Sequence, residues 1–296
     1  VALVGLSALL GWLDDVVWLG NLCRELPLQL GLVALSTAGL CLWARQRALA
    51  LVALLSALIA VAPLWPLTRP TRPTPPKGPV LRVGVSNLND QLADPARLRT
   101  LAPMLDVLAL TGVRQADLAT LDASLPRMAR LATASSRSAS HALWVSTDYP
   151  ARRRPAPPPS IAAARIRVAR CDVDLFSATL PSLFDLGAAE ARKDASTALS
   201  KLALGARAVS LASLGSRPTS PDLSEARRAL SLRDTRLGKG LLATQPAALG
   251  PLGIAVEHVL VRGWIAVRER TAEVALSPHA SRTALATLEL TEPRCR

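Results

Sequence analysis

Two uncharged apolar runs lie almost back to back near the start of the chain. Residues 28–43 and 48–67 carry no charge, and only residues 44–47, with Arg45 and Arg47, separate them. At about 1.5 Å per residue the second run reaches roughly 30 Å, the thickness of a bilayer's hydrocarbon core. The first is slightly shorter and reaches the interfaces with the help of Pro27 and Ala44. Residues 1–13 read as the tail of a further span. A cleaved signal peptide has a single apolar core, so two adjoining runs do not fit one. An apolar hairpin buried in a soluble core is the alternative. Asp14 and Asp15 would each cost about 2.5–3.5 kcal/mol at mid-bilayer. Residues 14–26 are therefore placed along an interface, where Trp12 and Trp18 suit the headgroup zone. A proton relay through the two Asp is the sharper reading; solvated interfacial acids are the plainer one. The sequence thus predicts a transmembrane region over 1–67, with spans at about 1–13, 28–43 and 48–67.

Composition agrees. Half the residues are apolar and 19% are charged, below the roughly 25% of soluble domains. The mean hydropathy is +0.28. These values exclude a disordered chain, a collagen-like repeat and a small disulfide scaffold. Residues 1–67 hold three basic and three acidic residues, so the whole net charge of +13 belongs to residues 68–296. The positive-inside rule puts the Arg45/Arg47 loop in the cytoplasm. The C-terminal domain then lies on the far side of the membrane. Arg69, Arg72 and Lys77 weigh against this orientation.

Residues 68–79 contain five prolines, a semi-rigid extended linker. The periodicity then changes. VLRVGVSN (80–87) alternates as a strand. Asp94 and Pro95 are N-cap and first residue of a helix, with Leu98, Leu101, Ala102 and Leu105 on its inner face. DVLAL (106–110), ALWVS, ARAVSLA (206–212), IAVEHVLV (254–261) and RTALATLEL (282–290) read as further strands, and 186–204 as a helix. Residues 150–159 are Pro-rich and read as an exposed loop. Strands alternating with helices over 80–296 give an α/β layered domain with room for a core.

This order of pieces resembles the endonuclease/exonuclease/phosphatase superfamily, with its DNase I-like fold, and in particular its bacterial members with three N-terminal membrane spans. The resemblance implies a four-layer α/β sandwich, two packed β-sheets flanked by helices, and makes the membrane a bacterial inner (cytoplasmic) membrane with the domain on its periplasmic side. It also implies a site at the strand ends. The family's first strand ends in an Asn beside the scissile phosphate, matched by Asn87. Its second ends in Gln-Glu, the Glu holding the metal; here Thr111-Gly112 follows DVLAL. A later strand ends in His before a Pro-rich turn; DLFSATLP, its counterpart here, has Thr179 instead. The Gly-Asp-x-Asn motif falls on Ala212-Ser213-Leu214-Gly215, before Ser216-Arg217-Pro218, without its Asp or Asn. Asp-His-Val-Leu is matched by Glu257-His258-Val259-Leu260. The closing Ser-Asp-His becomes Ser277-Pro278-His279.

Magnesium takes oxygen ligands, usually one or two carboxylates plus phosphate oxygens. Gly112 and Pro278 supply no side-chain oxygen. Asn87 remains, with a possible Glu257–His279 pair. A positioned general base contributes about 10²–10⁴-fold, whereas phosphate ester hydrolysis demands up to about 10²¹ for monoesters. The sequence therefore predicts a pseudoenzyme with vestigial positions Asn87, Glu257 and His279, no metal and no cofactor. The expected role is that of a membrane-anchored scaffold or accessory subunit in contact with lipids and other membrane protein subunits. A magnesium-dependent phosphodiesterase or phosphatase is the alternative, with Asp172, Asp174 or Asp222 recruited. A lipid- or nucleic-acid-binding module is a third reading. Arg makes up 31 of the 35 cationic residues, with Arg152–Arg154 and Arg227–Arg228 the densest runs, but few aromatics are available for base stacking, so nucleic acid is not expected. His258 and His279 lack the partners of a zinc site, and His141 has none in sequence. Cys171 and Cys295 could pair in an oxidising compartment. Cys23 and Cys41 lie in or near the spans, where Cys behaves as a small apolar residue.

Overall fold

The structure, a computed structural model, describes residues 26–68, 77–135, 140–154, 161–180, 188–215, 221–240, 242–292 and 295. The expected first span, the interfacial segment, Cys23 and most of the Pro-rich linker lie outside them. So do Ser216, Arg217 and Pro218.

The two apolar runs form a helical hairpin. Helix α1 is Pro27–Trp43 and α2 is Arg47–Val61. A single 3-10 turn, Ala62–Leu64, leads into α3, Trp65–Thr68. Taken together, Arg47–Thr68 is the one described stretch of helix long and apolar enough to cross a membrane, at 22 residues. The turn between α1 and α2 is closed by Arg45 in the left-handed region, φ 59°. The facing surfaces are small: Gly31, Ala34, Ala38 and Cys41 on α1, and Ala50, Ala53, Ala57 and Ala60 on α2. The large residues Leu32, Leu35, Leu40, Leu51, Leu55 and Leu58 point outward.

The rest of the chain is a two-sheet sandwich. Strands β1 (Val80–Asn87), β2 (Val107–Val113), β3 (Met128–Ser135) and β4 (Ser140–Ser146) join β11 (Ile265–Ala275) and β12 (Arg282–Leu290). Their order is β11-β12-β1-β2-β4-β3. Strands β5 (Ala151–Arg153), β6 (Ile161–Val168), β7 (Cys171–Ala178), β8 (Ala208–Ser213), β9 (Arg233–Asp234) and β10 (Glu257–Arg262) make the second sheet, ordered β5-β6-β7-β8-β10-β9. Among the described strands, parallel pairing is confined to β1/β2 and β7/β8. Each of these crossovers carries a helix: α4 (Pro95–Leu101) in the first and α6 (Ala188–Ser200) in the second. Helices α5 (Leu118–Ser124) and α7 (Pro221–Ala229) complete the outer layers.

Period-two alternation explains the layering. On β1, Leu81, Val83 and Val85 face the second sheet, where Val209 and Leu211 of β8 and Val259 and Val261 of β10 meet them. The other face of the first sheet packs Leu108, Leu110 and Trp144 against Leu98 and Leu101 of α4 and Leu118 and Leu121 of α5. A third cluster sets Phe176, Ala212 and Leu260 against Leu199 of α6 and Ala226 of α7. The result is four layers, helix–sheet–sheet–helix. The Asp94 cap forms as the sequence predicts, its carboxylate accepting from Ala96 N at 2.9 Å with Pro95 next in the chain. Several strand boundaries shift: β2 runs on to Val113, β4 begins at Ser140, β8 spans Ala208–Ser213 and β10 begins only at Glu257. The Pro-rich segment expected as a loop contains the exposed edge strand β5. Cys171 and Cys295 form a disulfide, which ties the start of β7 in one sheet to the tail beyond β12 of the other.

Candidate functional site

The inward positions of the central strands are apolar until their last step, where they turn polar together. Leu81, Val83 and Val85 are followed by Asn87; Val107 and Ala109 by Thr111; Val209 and Leu211 by Ser213. On β10, which runs the other way, Glu257 precedes Val259 and Val261. Asn87 pairs in register with Thr111, and Glu257 with Ser213. One end of the inter-sheet space is thus lined by polar groups from both sheets.

These groups are joined to one another. Asn87 Nδ2 donates to Ser213 Oγ at 3.3 Å, and Ser213 Oγ donates to Glu257 Oε1 at 3.5 Å. Ser281, just before β12, accepts from Asn87 N on its Oγ at 2.9 Å, and its own N–H donates to Asn87 O at 2.9 Å. Thr244 Oγ1 accepts from Val256 N at 3.0 Å and Glu257 N at 3.3 Å. Burial, stronger than the Thr244 and Ser281 hydroxyls and the Arg270 charge that oppose it, pushes the Glu257 carboxyl up to about 7. Arg270, whose guanidinium donates to Glu257 O at 3.4 Å, is pushed down to about 9 by the same burial.

The site residues read from the sequence are only partly brought together. Asn87 and Glu257 share the Ser213 bridge. His279 is exposed at the rim, and it is its backbone carbonyl that accepts from Asn89 Nδ2 at 2.5 Å. No hydrogen bond or ion pair joins it to Glu257, whose Oε1 is taken by Ser213. Thr179 extends β7 to a bridge with Ser213 and so reaches the same end. Asp174 belongs to another part of the sandwich. It lies near the start of β7 and is held by Arg154, Arg165 and Gly205 N. Asp172 pairs with Arg167 near that start. The Asp222 side chain lies outside what is described. Sequence reasoning missed Thr244 and Ser281, which stand in irregular segments and carry no motif.

The chain matches no family model, and no curated protein matches it. Solved structures with the same architecture do exist. One is the endonuclease/exonuclease/phosphatase from Bacteroides vulgatus, with TM-score 0.52 and 15% identity, covering 71% of this chain and 99% of that one. Another is the endonuclease/exonuclease/phosphatase from Beutenbergia cavernae, with TM-score 0.51, 16% identity and 72% of each chain. A third is a mannosyl-6-phosphatase from Bacteroides thetaiotaomicron, with TM-score 0.51, 13% identity, and 70% and 99% covered. The chain has the DNase I-like fold.

Within that fold, the donor set at the strand ends does not suit a magnesium ion. The position expected to supply a metal carboxylate is Gly112, with φ +60°. A Cβ there would lie 2.4 Å from Asn87 Oδ1 and 2.8 Å from Asn89 N. Asn87 Oδ1 also accepts from Asn89 N at 3.0 Å. The space a side chain needs is occupied by a turn that is itself hydrogen-bonded. The carboxylate that does face the interior, Glu257, is fully buried and favours its protonated form at moderately acid pH. A hard divalent cation wants deprotonated oxygens in number. Among the described residues, the one close group of three His, Cys, Asp or Glu side chains is Cys171, Glu292 and Cys295. Two of these are joined in the disulfide, and Glu292 pairs with Arg207 at 3.0 Å.

Proposed function

We propose that the protein is a membrane-anchored scaffold or accessory subunit of a membrane protein assembly, built on a phosphoesterase fold whose cleft performs no chemistry. The observation that carries this is the filled space at Gly112. A metal-dependent phosphoesterase needs an open, anionic position at that strand end. Here it is closed by Asn87 and Asn89, and Ser213 stands where a water-orienting acid is expected. Hydroxyls and an amide can bind a neutral ligand or order a turn, whereas magnesium is usually held through one or two carboxylates.

Membrane anchoring is supported by the hairpin's inverted pattern. In water a helix pair buries large apolar residues and exposes polar ones. Here Ala and Gly pack inside while Leu, Val and Trp face out, the arrangement expected where the solvent is lipid and close backbone approach drives packing. The periplasmic placement is supported by the Cys171–Cys295 disulfide, a bond that persists in oxidising compartments. The exposed Arg45 and Arg47 at the hairpin turn favour the cytoplasm at the other end.

The test is turnover of a generic phosphodiester, bis(4-nitrophenyl) phosphate, across a titration of magnesium and manganese. The expected result is no turnover above that of the His279→Ala variant. Metal-dependent turnover that His279→Ala abolishes would overturn the reading. Purification in a mild detergent should retain a stoichiometric membrane partner, and recovery as an isolated monomer would count against the subunit role.

A further inference from the structure

The end of the membrane hairpin does not simply run off into the linker; it is bonded to the sandwich. Pro66 O and Leu67 O, in the last turn of the 22-residue span, accept from Gly238 N at 3.2 Å and Gly240 N at 2.9 Å. The turn that supplies those N–H groups is prebuilt. Asp234 and Arg236, both buried, form an ion pair at 3.0 Å, and Asp234 Oδ1 accepts from Arg236 N at 2.9 Å. Thr235 Oγ1 donates to Val259 O at 2.8 Å, and Lys239 N to Arg236 O at 2.8 Å. Lys239 Nζ caps Arg268 O at 3.0 Å on β11. Within this fixed turn one side chain, Leu237, points outward with 44% of its surface exposed.

We propose that the turn at 237–240 is the domain's contact with the bilayer, with Leu237 seated in the headgroup zone of the membrane that α2 and α3 cross. This rests on the membrane reading above. A 22-residue helix reaches about 33 Å, so its last turn stands at the level of the headgroups. Backbone atoms hydrogen-bonded to that turn stand at the same level. A leucine exposed there gains by entering the interface, as an apolar residue does wherever water is replaced by lipid. The net charge of +13, all of it C-terminal to the span, favours an anionic surface. The polar end of the sandwich is then close to the membrane too: Thr244 is four residues beyond Gly240, at most about 14 Å along an extended chain. A partner that reaches Asn87 and Glu257 would come from the membrane plane rather than from bulk water.

The test uses the full chain with Cys23→Ser and Cys41→Ala, its disulfide intact, in nanodiscs of phosphatidylethanolamine and phosphatidylglycerol. Spin labels go on Leu237→Cys, on Val52→Cys in α2, and on Lys193→Cys on exposed α6. Power saturation compares access to oxygen with access to a polar nickel chelate. The expected result is oxygen preference at 52, nickel preference at 193, and a depth at 237 within the interface. A label at 237 that behaves like the one at 193, while 52 stays in lipid, overturns this inference and leaves the membrane reading standing. A label at 52 that behaves like the one at 193 removes both.

Discussion

At the scale of single residues, Gly112 and Glu257 decide what the cleft can be. Gly112 combines a left-handed backbone with the closest approach in the site, so any side chain there meets strain and a clash together. Gly112→Ala should cost about 1–3 kcal/mol of stability, read as a lowered midpoint in urea unfolding. An unchanged midpoint would mean that Asn87 and Asn89 move aside easily and that the position is open after all. Glu257 offers a pH test. Its folded-state value of about 7 lies above its ordinary 4.5 because burial disfavours the anion. Between those values the folded state holds a proton that the unfolded chain has released. Stability is therefore greatest below about pH 4.5, falls as pH rises towards 7, and levels off above it. Glu257→Gln should remove that slope, as measured by melting temperature across the range. A slope that survives the substitution would assign it elsewhere. Asn87 was legible in the sequence because it ends an alternating strand. The partners that hold it were not: Ser213 stands 126 residues away and Ser281 a further 68, and no local pattern predicts that β1, β8 and β12 end at one place.

At the scale of elements, what was legible was what local physics controls. The alternation at 80–87 and 282–290 gave two strands with the boundaries found, and Asp94-Pro95 gave a helix start. Strands β3, β5, β6, β9 and β11 went unread, and β7 was reached only through the resemblance. β6 is buried on both faces over much of its length, so its sequence IAAARIRV shows no clean alternation, and β11 is broken by register shifts near Val267 and Ala272. The disulfide belongs to this scale. It joins segments 124 residues apart across the two sheets, so it restrains a long loop in the unfolded chain. Cys295→Ser should cost about 2–4 kcal/mol, seen as a lower melting temperature that reductant no longer changes. In the wild type, reductant should lower the melting temperature by a similar amount. A reductant-insensitive wild type would mean that the thiols are not paired in the native protein.

At the scale of the whole molecule, the hairpin and the sandwich are joined twice, by the linker and by the 237–240 turn. The linker's last residues are held as well: Lys77 N and Gly78 N donate to Glu289 at 2.5 and 2.6 Å, and Glu289 pairs with Arg268. A domain fastened at two points cannot swing freely, which suits a subunit presenting a fixed surface. Orientation follows from labelling. With Cys23 and Cys41 replaced, a membrane-impermeant maleimide should modify Lys193→Cys in intact spheroplasts and Ala44→Cys only after lysis. The opposite pattern would invert the topology and remove the oxidising compartment from the argument.

By itself the sequence determined the division into an apolar hairpin and a basic α/β domain, because charge-free length and two-residue alternation are properties of neighbouring residues. It also carried the expectation that acidic side chains are missing at the positions its resemblance marked, since the residue at a position needs no folding to be read. Only the tertiary structure decided that Gly112 has no room for a side chain, that Glu257 sits fully buried beside Ser213, and that the end of the apolar hairpin is hydrogen-bonded to a turn some 170 residues later. Those facts depend on which distant segments share a space. Chain packing sets that, and no stretch of neighbouring residues encodes it alone.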